Sequence, residues 1–370
     1  MSNINLPPLS LYIHYPWCVK KCPYCDFNSH EGEGRDGYIK ALLADLDNDL
    51  NYIQNRKIHS IFIGGGTPSL MSEQELNELF VGLRNRLDFE KDIEITLETN
   101  PGTFEVEKFK AFKAIGINRL SIGVQSFNNK HLKSLGRIHS AQEASKACTE
   151  AAKIFDNFNI DLMYGLPEQT LVQSLSDIHQ AIDLNPTHIS FYQLTIEPNT
   201  FFSKFPPALP QDDDIWQMGQ QGVNALEQHG FERYEVSAFG KNPSKHNLNY
   251  WEFGDYIGIG AGAHGKITLA QNWKVTRTLK SKSPKGYIED CKKTTETIEN
   301  VTFEFMLNAL RLKKGFDFDL FESQTGQSIK KIEAHLAKAQ ALDLLIMKEK
   351  NARPSEKGYN FLNDLQAIFL

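Results

Sequence analysis

Cys18, Cys22 and Cys25 fall within eight residues, in His14-Tyr-Pro-Trp-Cys18-Val-Lys-Lys-Cys22-Pro-Tyr-Cys25-Asp-Phe27, directly after an apolar run, Leu9 to His14. Three thiolates this close suit a four-iron, four-sulfide (4Fe-4S) cluster, because each binds one iron and the fourth iron stays open. An open iron can hold a small molecule, which makes the loop a chemical centre and not a staple. Zinc would need a fourth ligand, and the local candidates His14, Asp26 and His30 sit at none of the usual spacings. A disulfide framework is disfavoured because 5 cysteines in 370 residues are sparse and odd in number. Cys148 and Cys291 have no cysteine neighbours and read as small hydrophobes.

Around that loop, short β-branched runs alternate with helical patterns. Strands are expected at Leu9–His14, His59–Gly64, Ile93–Thr99, Asn118–Val124, Phe158–Tyr164 and His188–Leu194. Helices are expected near Tyr38–Gln54, Glu73–Leu87, Glu105–Ala114, Ala141–Phe155 and Leu171–Leu184. Ser72 with Glu75, and Thr170 with Gln173, form capping boxes that satisfy free backbone donors at two helix starts. Leu171, Leu175, Ile178 and Ile182 recur at helical spacing and should face a sheet. Alternation without hairpin signals implies parallel strands and right-handed crossovers. Six such units suit an α/β fold built on an incomplete (β/α)6 barrel, with chemistry at the C-terminal ends of the strands. The cysteine loop occupies such an end.

Residues 1–205 are therefore read as the partial barrel and 206–280 as a bridging segment. Residues 281–370 are read as a small α-rich, winged-helix-like domain, with helices near Val301–Leu312, Ile329–Ala341 and Ser355–Phe369 and a strand at Leu344–Lys348. Residues 301–370 of it carry 10 Lys and Arg against 9 Asp and Glu, without the basic stripe of a DNA reader. A net charge of −6 likewise argues against a nucleic-acid partner. No stretch approaches the ~20 apolar residues of a membrane span, and Met1-Ser-Asn-Ile-Asn-Leu-Pro-Pro lacks the features of a signal peptide. The expectation is a cytoplasmic protein that is not integral to a membrane. Asp212-Asp-Asp214 reads as a solvated helix start.

Further motifs end the successive strands. Gly64-Gly-Gly66-Thr67-Pro68 would let a backbone approach a ligand closely, where a plain turn needs one glycine. Glu98 closes the third strand and can accept hydrogen bonds; Gln125, Arg137 and Asp161 follow from later units, each equally readable alone as a satisfied turn residue. Gly260-Ala-Gly-Ala-His-Gly265 fits G-x-G-x-x-G, but no βαβ unit follows, so a nicotinamide cofactor is rejected.

Together these motifs resemble the radical S-adenosylmethionine (SAM) superfamily, and within it the anaerobic coproporphyrinogen oxidase family, along roughly the whole chain. The resemblance implies a 4Fe-4S cluster on Cys18, Cys22 and Cys25, and SAM whose amine and carboxylate fill the open iron. It places Tyr12, Tyr24, Gly66, Thr67, Glu98, Gln125, Arg137 and Asp161 at SAM-contacting positions, with the Gly260–Gly265 stretch along the adenosyl moiety. The oxidases carry a fourth cysteine two residues after the triad; here it is Phe27. The chain instead has His246-Asn-Leu-Asn-Tyr250-Trp251, and this combination resembles the haem-chaperone branch of the family. That branch implies haem as cargo and haem-acceptor proteins, membrane-bound ones among them, as partners. His246 would offer an axial nitrogen while Tyr250 and Trp251 pack on the porphyrin; the alternative is a loop anchored by its aromatics. Oxidative decarboxylation of coproporphyrinogen III, or another modification of a tetrapyrrole, are the competing readings. No residue is assigned a catalytic role.

Overall fold

The computed structural model describes residues 6–32, 34–103 and 106–370. The stretch Met1–Asn5 and the expected helix start at Glu105 lie outside the described residues. Six strands form where apolar alternation places them: β1 (Leu9–Tyr15), β2 (Ile58–Gly65), β3 (Phe89–Thr99), β4 (Arg119–Gln125), β5 (Phe158–Tyr164) and β6 (His188–Gln193). Helices α1 (Tyr38–Asp49), α2 (Glu73–Arg84), α3 (Val106–Ile115), α4 (Ala141–Ile154) and α5 (Leu171–Asp183) connect them. Both expected capping boxes are present, and Ser140 with Glu143 makes another at the start of α4.

The α5 stripe is rotated from its expected setting. Ile178 and Ala181 reach the core, whereas Leu175 and Ile182 are only partly buried. A further helix, α6 (Asp212–Gln228), packs along α5 and shares that apolar face. Asp212, Asp213 and Asp214 form its first turn, where the helix dipole favours them.

The segment 206–280, read from sequence as a bridge, is woven into the main sheet. It supplies β7 (Ala238–Gly240), helix α7 (Lys245–Trp251), β8 (Asp255–Ile259), β9 (His264–Leu269) and β10 (Lys274–Lys280). β11 (Lys293–Thr297) completes an 11-stranded sheet of order β11-β10-β9-β8-β1-β2-β3-β4-β5-β6-β7. Because β8 pairs in parallel with β1, the parallel core has one strand more than the six expected. A boundary at residue 280 would cut β11 from this sheet. This was not visible in the sequence because β8, β9 and β10 are joined by short turns and look like local hairpins, while β1 and β8 lie far apart in the chain.

Beyond β11 a second apolar core gathers around Phe253, Phe305, Phe316 and Phe321. Its small antiparallel sheet pairs Phe316–Asp317, Asn351–Pro354 and Leu345–Lys348, and helices surround it. This is the winged-helix-like arrangement expected, with an added helix at Phe318–Thr325 and the expected Ser355–Phe369 helix broken at Phe361 into Glu356–Asn360 and Leu362–Ala367. No described helix is long and apolar enough to cross a membrane.

Candidate functional site

Side chains alternate across a strand, so every second residue of β1 to β6 faces the concave side of the sheet. Those positions are polar in strand after strand: Thr96 and Glu98, Ser121 and Gln125, Asn159 and Asp161, Ser190 and Tyr192. All of them but Thr96 line a cavity of about 420 Å³, within the ~300–1,000 Å³ of small-molecule sites. The cysteine loop forms its rim. Cys18, Cys22 and Cys25 are free thiols that border the same space, and among the described residues no three potential ligands converge on one metal ion. Thiols spread around a cavity suit a cluster, which takes one thiolate per iron, better than a mononuclear site. Burial raises the Cys18 and Cys25 thiol pKa values, so iron must displace their protons.

Of the residues singled out from sequence, Tyr24, Gly66, Thr67, Glu98, Gln125, Arg137 and Asp161 all border this cavity with the cysteines. Arg137 stands behind the loop: one guanidinium nitrogen lies 3.6 Å from Cys22 Sγ and the other donates to the Gly123 carbonyl at 2.6 Å. Asn100 accepts a further bond from Arg137 and donates to Thr67 Oγ1 at 3.3 Å. Gln125 has φ of 71°, an uncommon backbone for a residue with a side chain, and Tyr192 holds its Oε1 at 2.7 Å. Asp161 accepts from Asn159 at 2.7 Å and from Ser121 at 3.2 Å. Burial raises its pKa despite these donors.

Glu98 is the least comfortable charge here. Burial, then the neighbouring Asp161, push its pKa up to about 7, although the Gly65 amide donates to it at 3.0 Å. A carboxylate whose folded pKa is raised favours folding below its unfolded value near 4.5 and loses that contribution as pH rises to about 7. Above pH 7 the ionised Glu98 costs about 3 kcal/mol, since each unit is worth about 1.4 kcal/mol. Glu98→Gln should therefore raise the melting temperature of SAM-free protein at pH 8 by several degrees while weakening SAM binding. An unchanged melting temperature would show that Glu98 is already compensated.

The glycine run works differently from its sequence reading. A Cβ on Gly64 would touch the Glu98 carboxylate at 3.0 Å, but one on Gly66 would lie 2.5 Å from the Trp17 carbonyl oxygen. Gly66 N donates to Tyr15 O and Thr67 N to Trp17 O, each at 2.7 Å. Gly66 thus lets the chain strap its own cysteine loop. Gly66→Val should displace that loop and lower iron content and SAM binding together; full iron content with weakened SAM would return the glycine to a purely ligand-facing role.

Two residues fall outside the cavity. Tyr12 donates to or accepts from His14 Nδ1 at 2.8 Å and lines a second cavity beyond the cysteine loop. His246 is 2 % exposed, sealed between α7 and β2, with Nδ1 3.0 Å from Ser60 Oγ and its ring 5.2 Å from that of Phe62. Burial pushes its pKa down to about 3, so the ring is neutral, and it borders neither cavity. The second position of α7 faces the sheet, which leaves His246 Nε2 buried without a hydrogen-bond partner. Trp251 lies under Arg311 of the C-terminal unit, whose guanidinium stands 4.3 Å from its ring centroid.

Arg119 was missed from sequence. It is 2 % exposed, borders the cavity from below, and its Nε has no hydrogen-bond partner; the nearest carboxylate, Glu94, is 4.0 Å away. An arginine opening an otherwise apolar strand was the available signal.

Comparisons with known proteins agree with this geometry. Residues 12–178 match the radical SAM superfamily, and residues 297–361 match the HemN C-terminal domain. The Heme chaperone HemW proteins of Escherichia coli (strain K12) and Haemophilus influenzae are each 48 % identical to this chain, over 99 % of both partners. The chain belongs to the HemW family of radical SAM proteins. The Heme chaperone HemW of Bacillus subtilis (strain 168) is 36 % identical over 86 % of this chain and 88 % of its own. The fold is that of the E. coli coproporphyrinogen III oxidase HemN, with a TM-score of 0.82 at 23 % identity, covering 98 % of this chain and 90 % of that one. Membership in the radical SAM superfamily implies a 4Fe-4S cluster and SAM, and the thiol-rimmed cavity fits both.

Proposed function

We propose that this HemW-family protein is a haem chaperone: it holds a 4Fe-4S cluster on Cys18, Cys22 and Cys25, binds SAM in the adjoining cavity, and passes haem to acceptor proteins, membrane-bound ones among them. The observation that carries the reading is Phe27, 59 % exposed at the place of the oxidases' extra cysteine, in a chain that matches HemW proteins from end to end.

A bound cluster supplies an open iron for the SAM amine and carboxylate and a source of one electron. The protein's part is to bind and orient. Glu98 would accept from the SAM amine, and Gln125, Arg137 and Asp161 would fix the remaining polar groups. Arg137 places a guanidinium 3.6 Å behind Cys22 Sγ, where it would help hold the loop against the cavity. The polar floor, in which Arg119 lies 4.0 Å from Glu94 and keeps its Nε without a hydrogen-bond partner, leaves a donor at the base of the cavity.

The test is a pair of incubations with anaerobically reconstituted protein. Haem should bind at about one per chain with affinity in the micromolar range or tighter, and coproporphyrinogen III should remain unconverted in the presence of SAM and reductant. Multiple-turnover production of protoporphyrinogen IX would overturn the chaperone reading and restore the oxidase.

A further inference from the structure

Behind the polar wall of the cavity, the side chains of Asp161, Asn159, His188 and Tyr234 form one continuous hydrogen-bonded line. The donor at each link follows from the chemistry of its neighbours. Ser121 Oγ donates its one proton to Asp161 Oδ2 at 3.2 Å, so toward Asn159, 2.8 Å away, it accepts. The group that Asn159 turns to Ser121 is therefore Nδ2, which also donates to Asp161 Oδ1 at 2.7 Å. Asn159 Oδ1 is left facing β6, where it accepts from Ser190 Oγ at 3.1 Å and meets His188 Nδ1 at 2.6 Å. An amide oxygen carries no proton, so Nδ1 is the protonated nitrogen of the imidazole.

His188 is 1 % exposed, and burial, then the charge of Arg119, hold its pKa well below the usual imidazole value. A neutral ring has one N–H, which Nδ1 uses, so Nε2 accepts from the Tyr234 hydroxyl at 2.8 Å. Burial keeps that phenol protonated, and it accepts in turn from the amide of Ser244, the cap of α7, at 3.3 Å. Gly240 of β7 makes room for the imidazole: a Cβ there would lie 2.9 Å from His188 Cδ2. Without the His188 donor, Ser190 alone fixes the amide, and a turned amide sets its oxygen against the Asp161 carboxylate.

The far end of the line is gripped by the C-terminal unit. Lys313 N donates to the Tyr234 carbonyl at 3.0 Å, and Arg311 pairs with Glu235 at 3.2 Å. On the other side the Arg233 guanidinium stands 4.7 Å over the Tyr359 ring. No described residue beyond Asn247 borders the cavity, so this line gives the C-terminal unit a route to it.

We propose that His188 is a positioning residue for the SAM site: its Nδ1–H locks the Asn159 amide so that the amide donates to Asp161, while Tyr234 holds the imidazole in that tautomer. The inference rests on the reading that Asp161 fixes a polar group of SAM, and it adds residues that never touch the ligand. A donor aimed at a carboxylate favours its charged, accepting form, which is the form a ligand hydroxyl or amine needs.

The experiment measures SAM affinity by calorimetry on anaerobically reconstituted protein. His188→Leu and His188→Asn shrink the ring to nearly the same size, but only asparagine keeps an N–H at the Nδ1 position. His188→Leu should weaken SAM binding by about tenfold, the scale of one hydrogen bond to a charged group, with iron content unchanged. His188→Asn should stay within about threefold of the wild type. Asn159→Leu should weaken binding about as much as His188→Leu, and combining the two should cost nothing further, because the link is already cut. Equal SAM affinity in His188→Leu and His188→Asn, or additive losses in the double variant, would overturn the positioning role and leave the SAM reading intact. Should His188→Leu not fold, Asn159→Leu reads the same link, and wild-type affinity there would overturn it equally. Wild-type affinity in Asp161→Asn would remove Asp161 from the SAM site and overturn the inference together with that part of the reading.

Discussion

Cys22→Ala should strip most of the iron from anaerobically reconstituted protein, from about four irons and four sulfides per chain to a small residue. The triad supplies every thiolate the cavity offers, and the other two cysteines cannot substitute. Cys148 is fully buried in the main core and Cys291 packs partly buried near α1, so neither borders the cavity. Cys22 is also the thiol nearest Arg137, so its loss leaves a buried guanidinium facing an empty position. SAM binding should fall with the iron, because the open iron anchors its amine and carboxylate. Cys148→Ala is the control and should keep the full cluster. An intact cluster in Cys22→Ala would move the ligand set elsewhere.

How much of this was legible in the chain depended on range. β1 to β6 and their helices lie within a residue or two of the expected bounds for most ends, because period-two and period-3.6 patterns and capping boxes are local signals. The cluster loop and its polar rim were legible for a second reason: each motif sits where a strand ends. What stayed hidden were relations between distant segments. That Asp255–Ile259 would lie beside Leu9–Tyr15, and not in a separate bridge, is a pairing between segments far apart in the chain. Arg119 and Asn159 become site residues only when their strands stand side by side with the polar faces turned to one cavity. His246 shows the same limit of range from the other side. A histidine beside two aromatics looks like a ligand in sequence, yet helix phase turns it into the sheet, beside Ser60 and Phe62.

The strand extension that carries His264 is held by charge, and this sets the largest expected effect on stability. At the end of β10, Lys280 is fully buried and pairs with Asp45 and Asp49, one helical turn apart on α1; the Asp49 contact is 2.6 Å. Tyr287 Oη donates to Asp45 at 2.6 Å, and Lys293 of β11 donates to Asp49 at 2.6 Å. Burial alone would lower the Lys280 pKa, but the two carboxylates outweigh it and the net shift is upward, so the ammonium form persists. Lys280→Ala removes the one cation that both carboxylates share and strands Asp45 without a counter-charge. Breaking a buried pair in this way costs about 3–5 kcal/mol, because the remaining charge has lost its water and gained nothing in return. The loss should be uneven. Amide exchange should accelerate most in β9 to β11, which this network ties to α1, and least in β2 to β6, whose strands are held by parallel pairing and the apolar core. Lys280→Ala combined with Asp45→Asn should recover part of the stability, since the stranded charge is then gone. Equal destabilisation of the single and double variants would mean the lysine acts through its packing and not through its charge.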